Sequence, residues 1–419
     1  MSVTHTKVIS PKYPTAVIGN SFYQRPLNTI IRRMTNSQRV FAGGNWKPGT
    51  IIGGNTTNSE PHWSNCTDTL MLAGVSIIEN GAHKDVIGVF GQDMRYLTTL
   101  PPRISQYNLR WDTVDPACFY HFTGSRVEKW DVRAMRKRQW TLGFPVGLAG
   151  GEGDVSDTNE ILLDKDGKVL FIYDLNKMAT VSGSYSPSTL DLGSLGAKGA
   201  ALGVDYATLS QDGQYILVSW SGQCGTHGGI EVYSRKWEYL HRIYPPVPVH
   251  WCSALDTSGN PVIYTTLPFG HSWFIEPYAA LVYKPGDYVK IRVDTGAITR
   301  LLSLPKWTHH MTCKRRGYRE VVYTVFDERE LKPSVKSLWT QPDWAPYFGE
   351  LVEIDTDGGG VRRLCHVWSR PSKVVKKPGK WWQSDPFAFG NKVGFRSCVV
   401  NDDVPAMATG IGDMFYVEV

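Results

Sequence analysis

Most of the hydrophobic positions of the chain fall in short runs typical of β-strands, and turn residues separate the runs. Residues 206–209, the turn Gln211-Asp212-Gly213 and residues 215–220 form one example, in which an Asp-Gly turn joins two runs rich in β-branched and aromatic residues. Helical periodicity is nearly absent. Only residues 28–34 fit a short helix, and their β-branched run fits a strand equally well. The pattern predicts an all-β protein built from antiparallel hairpins.

The hairpins recur in pairs along the chain. A first hairpin is predicted at 206–220, 251–266 and 311–325, and more weakly at 160–173 and 386–397. A second hairpin follows three of them, at 229–244, 289–304 and 350–365. Two consecutive hairpins make a four-stranded antiparallel meander, and meanders repeated at tens of residues are typical of β-propeller blades.

The repeat predicts a seven-bladed β-propeller of four-stranded antiparallel blades. Seven innermost strands are expected to start near His62, Asn108, Val155, Asp205, His250, His310 and Ser384. A C-terminal strand at 414–419 would pair with an N-terminal strand near Ile30 and close the ring, which removes an exposed sheet edge. The sequence thus predicts one propeller domain over residues 1–419, with residues 1–28 as an extended arm.

Composition narrows the class of protein. The 419 residues are 42% hydrophobic and 12% aromatic, with 41 Gly and 25 Pro, which suits a turn-rich globular protein and excludes disorder, collagen and coiled coil. No apolar run reaches the roughly 18 residues of a membrane span, so no membrane partner is predicted. Seven cysteines without a CxxC pair exclude a complete disulfide set and a zinc ribbon.

The net charge limits the kinds of binding partner that are expected, and the N-terminal residues limit the expected cellular location. The formal net charge of +6 permits an anionic partner but falls short of a nucleic-acid-binding protein, so no nucleic acid is predicted. The first residues contain no apolar stretch typical of a secretory signal. The expected location is therefore the cytoplasm or a virion assembled inside a cell, unless another export route operates.

Histidines are predicted to meet on one face of the propeller, where the loops between blades and the loops between second and third strands meet. His62, His250 and His310 stand at predicted strand starts, His227 lies in loop 222–229, and His271 lies in insertion 267–287. Taken singly, each histidine fits a structural role in which its ring hydrogen-bonds to backbone groups between blades. The five together favour the alternative interpretation, a functional cluster. Whether His309 or His310 faces the axis stays open, because a one-residue shift exchanges the faces of a strand.

Aromatic and basic residues accompany these histidines in two long insertions, 267–287 and 327–346. Trp273 and Trp344 are predicted to stack on sugar rings, with loop anchoring as the alternative. Arg329 is placed with them as a substrate-binding residue. Further basic residues are predicted near the same face: Arg362 or Arg363, Arg370, Lys373, Lys376 and Lys377. For the lysines, the alternative is an ordinary solvent-exposed charged surface.

Two His, a Tyr and an Arg in a basic, aromatic cleft suit β-elimination in a uronate polysaccharide. A donor must neutralise the sugar carboxylate, a base must take the adjacent C5 proton, and an acid must protonate the leaving glycosidic oxygen. A histidine, with a reference pKa of about 6.5, is a fitting base. Tyrosine can serve as the acid, and arginine can bind a carboxylate through two hydrogen bonds.

Three segments resemble a group of bacterial seven-bladed propellers that includes oligogalacturonate lyases and ulvan lyases. They are His250-x6-Thr-Ser-Gly-Asn-x-Val-Ile-Tyr, Trp307-Thr-His-His310-Met-Thr-Cys-x-x-x-Gly-Tyr, and Phe387-x-x-Gly390-Asn-x-Val-Gly-Phe-x-Ser397, so the likeness covers roughly residues 200–419. When the functional residues of these lyases are carried over by their spacing, the resemblance implies that His250 or His271 is the base. It also implies that Tyr347 is the acid and that Arg363 binds the carboxylate. His62, His227, His310, Trp273, Trp344 and Arg329 would bind substrate.

The resemblance also implies a structural zinc held by Cys and His. Cys313, Cys365, His366 and Cys398 are the candidates, with ordinary buried cysteines as the alternative. Asp164-Lys-Asp166-Gly167 and Asp355-Thr-Asp357-Gly358 start like calcium loops but lack the remaining ligands, so they are interpreted as hairpin turns. The cofactor therefore stays unknown, with a divalent ion, Zn²⁺ or Ca²⁺, as the candidate.

Three functional hypotheses remain at this stage. The first is a lyase that cleaves a uronate-containing anionic polysaccharide. The second is a non-enzymatic propeller of a phage tail, virion or surface assembly that binds host glycan and forms an oligomer. The third is an intracellular scaffold. The fold does not choose among them, because propellers support unrelated functions.

Overall fold

The computed structural model describes residues 21–24, 29–34, 51–54, 65–79, 82–101, 104, 108–148, 153–165, 169–181, 204–220, 229–243, 251–266, 287–303, 311–313, 320–324, 350–357, 360–366, 386–389, 391–397 and 413–418. Within these ranges the chain forms 29 β-strands. None of the described residues belongs to a helix with the length and hydropathy needed to cross a bilayer.

Six sheets each contain four strands that are consecutive in the chain and antiparallel to their neighbours. The first sheet contains β3 (Ile51–Gly54), β4 (Leu70–Glu79), β5 (Ala82–Gly91) and β6 (Tyr96–Thr99). The second contains β7 (Leu109–Trp111), β8 (Cys118–Thr123), β9 (Arg126–Asp131) and β10 (Arg136–Thr141). The third contains β11 (Val146–Leu148), β12 (Glu160–Lys165), β13 (Val169–Asp174) and β14 (Ala179–Thr180).

The other three four-stranded sheets follow the same order. The fourth contains β15 (Val204–Leu209), β16 (Tyr215–Trp220), β17 (Ile230–Ser234) and β18 (Tyr239–Ile243). The fifth contains β19 (Trp251–Leu255), β20 (Pro261–Thr266), β21 (Asp287–Arg292) and β22 (Ile298–Ser303). The sixth contains β23 (Met311–Cys313), β24 (Glu320–Thr324), β25 (Glu350–Asp355) and β26 (Val361–His366).

A seventh sheet has five strands and joins both ends of the chain. Its strands are β1 (Ser21–Gln24), β2 (Thr29–Arg33), β27 (Pro386–Phe389), β28 (Lys392–Ser397) and β29 (Asp413–Glu418). Strand β2 pairs antiparallel with β29, with Ile31 opposite Val417. This confirms the predicted pairing of the C-terminal strand with a strand near Ile30. Strand β1 is an edge strand within the predicted arm 1–28.

The core lies between neighbouring sheets, because each sheet packs its apolar face on the next. Leu72 and Val89 of the first sheet pack with Trp111 and Phe119 of the second, all of them buried. Similar clusters join the second to the third sheet and so on to the sixth. The five-stranded sheet contacts both the sixth sheet and the first. Burial on this scale is the main stabilising contribution to the fold.

The architecture is an all-β propeller with four-stranded antiparallel blades. The sequence predicts seven such blades, but six sheets have four strands and the remaining sheet has five. Predicted first strands near Asn108, Asp205, His250, His310 and Ser384 lie within two residues of the starts of β7, β15, β19, β23 and β27. Residues 29–33 form a strand and not a helix.

Two predicted first strands are wrong. The first strand of the first sheet is β3, so the start near His62 falls between β3 and β4. The first strand of the third sheet is β11, so the start near Val155 falls between β11 and β12. Both true strands are three or four residues long and contain glycine, so they show almost no alternation of polar and apolar side chains.

Glycine is required at the Asp-Gly turn between β15 and β16. Gly213 has φ of +72°, and a Cβ there would lie 2.6 Å from Thr158 Oγ1. We expect Gly213→Ala to lower the free energy of unfolding by about 2–3 kcal/mol, the sum of a left-handed backbone cost and a steric cost. Gly259→Ala is the control, because its φ is +79° but no atom lies within 4 Å. Gly259→Ala should lower the free energy of unfolding by about 1 kcal/mol, measured by urea denaturation. Equal losses in the two variants would contradict the steric argument for Gly213.

Candidate functional site

The predicted site lies at the end of the sheets where the two long insertions leave. The chain leaves β20 at Thr266 and enters β21 at Asp287, and it leaves β24 at Thr324 and enters β25 at Glu350. We call this the insertion end. The bounds confirm that the predicted insertions connect the second and third strands of their sheets. They also confirm that Asp164–Gly167 and Asp355–Gly358 connect hairpin strands.

Most of the sequence-predicted site residues lie outside the described residues and stay predictions. His250 and His310 directly precede β19 and β23, first strands that contact each other. For His366 the structure describes the backbone, at the end of β26 opposite Glu350. The residues outside the described ranges are His62, His227, His250, His271, Trp273, His310, Arg329, Trp344, Tyr347 and Cys398.

Arg363 is the predicted catalytic residue whose side chain the structure describes. Its Nε donates to Glu350 Oε2 at 2.7 Å, and its Nη2 donates to Glu350 Oε1. The Glu350 side chain is 1% exposed and that of Arg363 is 18% exposed. Glu350 therefore fixes the orientation of Arg363 at the insertion end.

The same ion pair recurs in three other sheets. In each case a buried acid on the third strand binds a cation on the fourth: Asp287 with Arg300 at 2.8 Å, Glu231 with Arg242 at 2.8 Å, and Glu128 with Lys137. A buried carboxylate needs such partners, since leaving it unpaired is costly. Arg363 therefore has a structural role that its counterparts in other blades share. Its contact with a substrate carboxylate stays a prediction.

Sequence reasoning found Arg363 but missed Glu350. The signal was present in four of the sheets, as an acid near the start of the third strand and a cation 9 to 13 residues later. This spacing varies because a β-bulge shifts the register between the two strands in three of the sheets. Because the register of the two strands cannot be read from the sequence, no fixed number of residues between the acid and the cation identifies the pair.

A buried polar cluster surrounds Glu128 in the second sheet. Lys137 and Trp130 donate to its carboxylate, the latter at 3.0 Å, and His121 Nδ1 lies 3.3 Å from Glu128 Oε2. Burial alone would raise the pKa of Glu128, but these three hydrogen bonds outweigh it and the pKa is lowered. Burial also lowers the pKa of His121, against the opposing effect of Glu128. The cluster therefore favours a neutral imidazole beside a carboxylate.

The cluster should make stability depend on pH. The unfolded His121 takes up a proton near its reference pKa of about 6.5, whereas the folded one resists it, so lowering the pH favours unfolding. The lowered pKa of Glu128 acts in the same direction only below about pH 4.5. We expect His121→Gln to flatten the fall in unfolding free energy between about pH 7 and about pH 5. Urea denaturation at each pH measures it; a slope identical to that of the parent protein would contradict the assignment.

The cysteines proposed as zinc ligands do not fit one metal ion. Cys313 lies on β23 and Cys365 on β26, the two edge strands of the sixth sheet. Three strand spacings of about 4.8 Å separate them by about 14 Å, whereas both sulfurs must lie about 2.3 Å from a shared zinc. Burial also holds the pKa of the Cys365 thiol well above its usual value.

The described residues hold no group of three or more His, Cys, Asp or Glu placed to bind a metal. Cys313 Sγ instead contacts the Ser253 carbonyl at 3.4 Å. Both cysteines are buried free thiols, which fits the alternative of small apolar core residues.

Comparison with known proteins gives a fold. No family model matches the chain, and no curated protein matches its sequence. Among solved structures, an oligogalacturonate lyase in complex with manganese superposes with a TM-score of 0.59 at 9% identity, covering 96% of both chains. A second, from Vibrio parahaemolyticus, gives a TM-score of 0.59 at 10% identity and covers 96% of both chains. Both are oligogalacturonate lyases.

The likeness to the oligogalacturonate lyases extends over nearly the whole chain and concerns its fold. At identities of 9% and 10% it carries no residue-level assignment. It does agree with the β-propeller predicted from the hairpin repeat. Any common chemistry must be argued from the side chains of this chain.

Proposed function

We propose that this protein is a lyase that cleaves a uronate-containing acidic polysaccharide by β-elimination at the insertion end of the propeller. The observation that carries the proposal is Arg363, a partly exposed guanidinium that Glu350 holds in place where the sixth sheet's insertion ends. Bidentate arginine is suited to a sugar carboxylate. The fold shared with two oligogalacturonate lyases supports the same class of reaction.

The proposed reaction assigns one task to each group. Arg363 binds the uronate carboxylate and stabilises the negative charge that develops when the C5–H bond breaks. His250 or His271 takes the C5 proton. The electron pair then forms the C4–C5 double bond as the C4–O bond breaks, and Tyr347 protonates the leaving oxygen. Arg329, His62, His227, His310, Trp273 and Trp344 bind the neighbouring sugars in this proposal.

The test is the ultraviolet absorbance of the unsaturated product. We expect incubation with ulvan, pectate, alginate or a glycosaminoglycan to raise the absorbance for one substrate of this panel. His250→Ala should abolish the rise while circular dichroism stays unchanged, and His241→Ala on the outer strand β18 serves as the control. Product formation by His250→Ala at the parent rate would contradict the assignment of the base. A parallel series with chelator reports whether a divalent ion is needed.

A flat trace across the panel would instead favour the non-enzymatic hypothesis, a propeller of a phage tail, virion or surface assembly that binds host glycan. Solution mass then becomes informative, because that hypothesis predicts a symmetric oligomer.

We also propose that the five-stranded sheet acts as a seventh blade and closes the ring. Its contacts with both the first and the sixth sheet support this, as does the pairing of β2 with β29. A closed ring would hold the first strands of all blades around one axis and so keep the groups of the proposed site in fixed relative positions.

A further inference from the structure

The β9–β10 hairpin has a high local density of positive charge. Residues 126–141 contain six basic and two acidic side chains, a net charge of +4 within a chain whose formal net charge is +6. Strand β10 is the edge strand of its sheet, three strands away from β7. The hairpin therefore presents a basic edge to solvent, whereas the proposed reaction site lies at the insertion end.

Four of these cations make no ion pair among the described residues. Lys129 binds Asp112 at 2.5 Å and Lys137 binds Glu128, so these two are neutralised. The remaining four are exposed arginines: Arg126, Arg133, Arg136 and Arg138. Of the two carboxylates of the hairpin, Glu128 serves the buried cluster. Asp131 stands opposite Arg136 and accepts the backbone N–H groups of Arg133 and Ala134 in the turn.

The strand geometry places three of the side chains in one row. Arg136, Arg138 and Trp140 alternate along β10 and therefore share a face, with steps of roughly 6.8 Å. Arg138 stands directly opposite Lys129 in the ladder. Because Asp112 neutralises Lys129, Arg138 is the cation that this position offers to a bound anion. Trp140 is half-buried and adds a flat apolar surface to the row.

We propose that the β9–β10 hairpin binds an acidic polysaccharide chain along its outer edge. The arginine row offers charge complementarity to carboxylate or sulfate groups, and Trp140 offers a ring for the apolar face of a sugar. This site requires no cleavage, so it stands independently of the proposed lyase reaction and goes beyond it.

Binding of immobilised polygalacturonate at low temperature tests the proposal, with poly-L-glutamate and duplex DNA as comparison polyanions. We expect Arg136→Gln/Arg138→Gln to raise the Kd for polygalacturonate about tenfold. The control is Arg95→Gln/Lys236→Gln, which removes the same charge from exposed positions in other sheets and should change the Kd less than about twofold. Trp140→Ala should weaken binding of polygalacturonate several-fold and leave poly-L-glutamate unaffected.

Three results would overturn the proposal. The first is that the parent protein does not bind polygalacturonate, and the second is that both double variants lose the same affinity for it. The third is that DNA binds more tightly than polygalacturonate, which would make the hairpin a nucleic-acid-binding surface. Circular dichroism and thermal unfolding confirm that each variant folds. The product absorbance is recorded separately with a short oligosaccharide. An inactive parent protein that still loses binding in Arg136→Gln/Arg138→Gln would reject the lyase and keep the hairpin site.

Discussion

Arg363→Ala is expected to lower the rate of unsaturated-product formation at least about a hundredfold and the free energy of unfolding by about 3 kcal/mol. The loss of activity follows from the proposed contact with the substrate carboxylate, whose charge grows in the transition state. The loss of stability follows from Glu350, which is 1% exposed and would remain as an unpaired buried carboxylate. Rates of product formation and urea denaturation measure the two effects.

Arg300→Ala separates the two roles. Arg300 binds the buried Asp287 at 2.8 Å in the fifth sheet just as Arg363 binds Glu350, but no catalytic task is assigned to it. We expect a similar loss of stability and an unchanged rate per folded molecule. If both variants lose activity only in proportion to their unfolded fraction, Arg363 is structural and the carboxylate-binding role is wrong.

A second variant keeps the test decisive if Arg363→Ala fails to fold. Glu350→Gln/Arg363→Met removes both charges, and replacing a whole buried pair by neutral groups is often nearly neutral for stability. We expect the double variant to fold and to remain inactive. Normal activity in this variant would exclude Arg363 from the reaction.

The hairpins were predictable from the sequence because their information is local. The turn Gln211-Asp212-Gly213 has the glycine that a positive φ requires, and runs rich in β-branched and aromatic residues flank it. The strands β3 and β11 were not predictable, because three or four residues that include glycine carry too little pattern. Val146 and Leu148 of β11 are buried in a cluster with Tyr120 and Phe122 of the second sheet, which no three-residue pattern reveals.

The candidate site was predictable only in its residue types and approximate position. Spacing pointed to Arg363, but its partner Glu350 depends on a register that shifts between Leu351 and Val352. Cys313 and Cys365 looked compatible with one metal ion until the strand order placed them on opposite edges of a sheet. Long-range geometry of this kind is decided by topology, since residues far apart in the chain meet only through strand order.

The pairing of the two chain ends gives the second large expected effect. Ile31 is fully buried on β2, opposite Val417 of β29, whereas its neighbour Ile30 is 52% exposed. An aspartate at position 31 places an unpaired charge between the ends of the chain, so we expect Ile31→Asp to lower the free energy of unfolding by about 4 kcal/mol. Ile30→Asp, with the same chemical change on the opposite face, should cost less than about 1 kcal/mol.

Urea denaturation of both variants measures this difference, and thermal unfolding reports whether the molecule still unfolds in one transition. If the five-stranded sheet closes the ring, opening it frees the β29 edge and loosens the packing of the first and sixth sheets together. Ile31→Asp should then also lower the product-formation rate, because the groups of the proposed site come from several blades. An unchanged stability in Ile31→Asp would mean that β2 contributes little, and that the sheets hold their arrangement without the pairing of the chain ends.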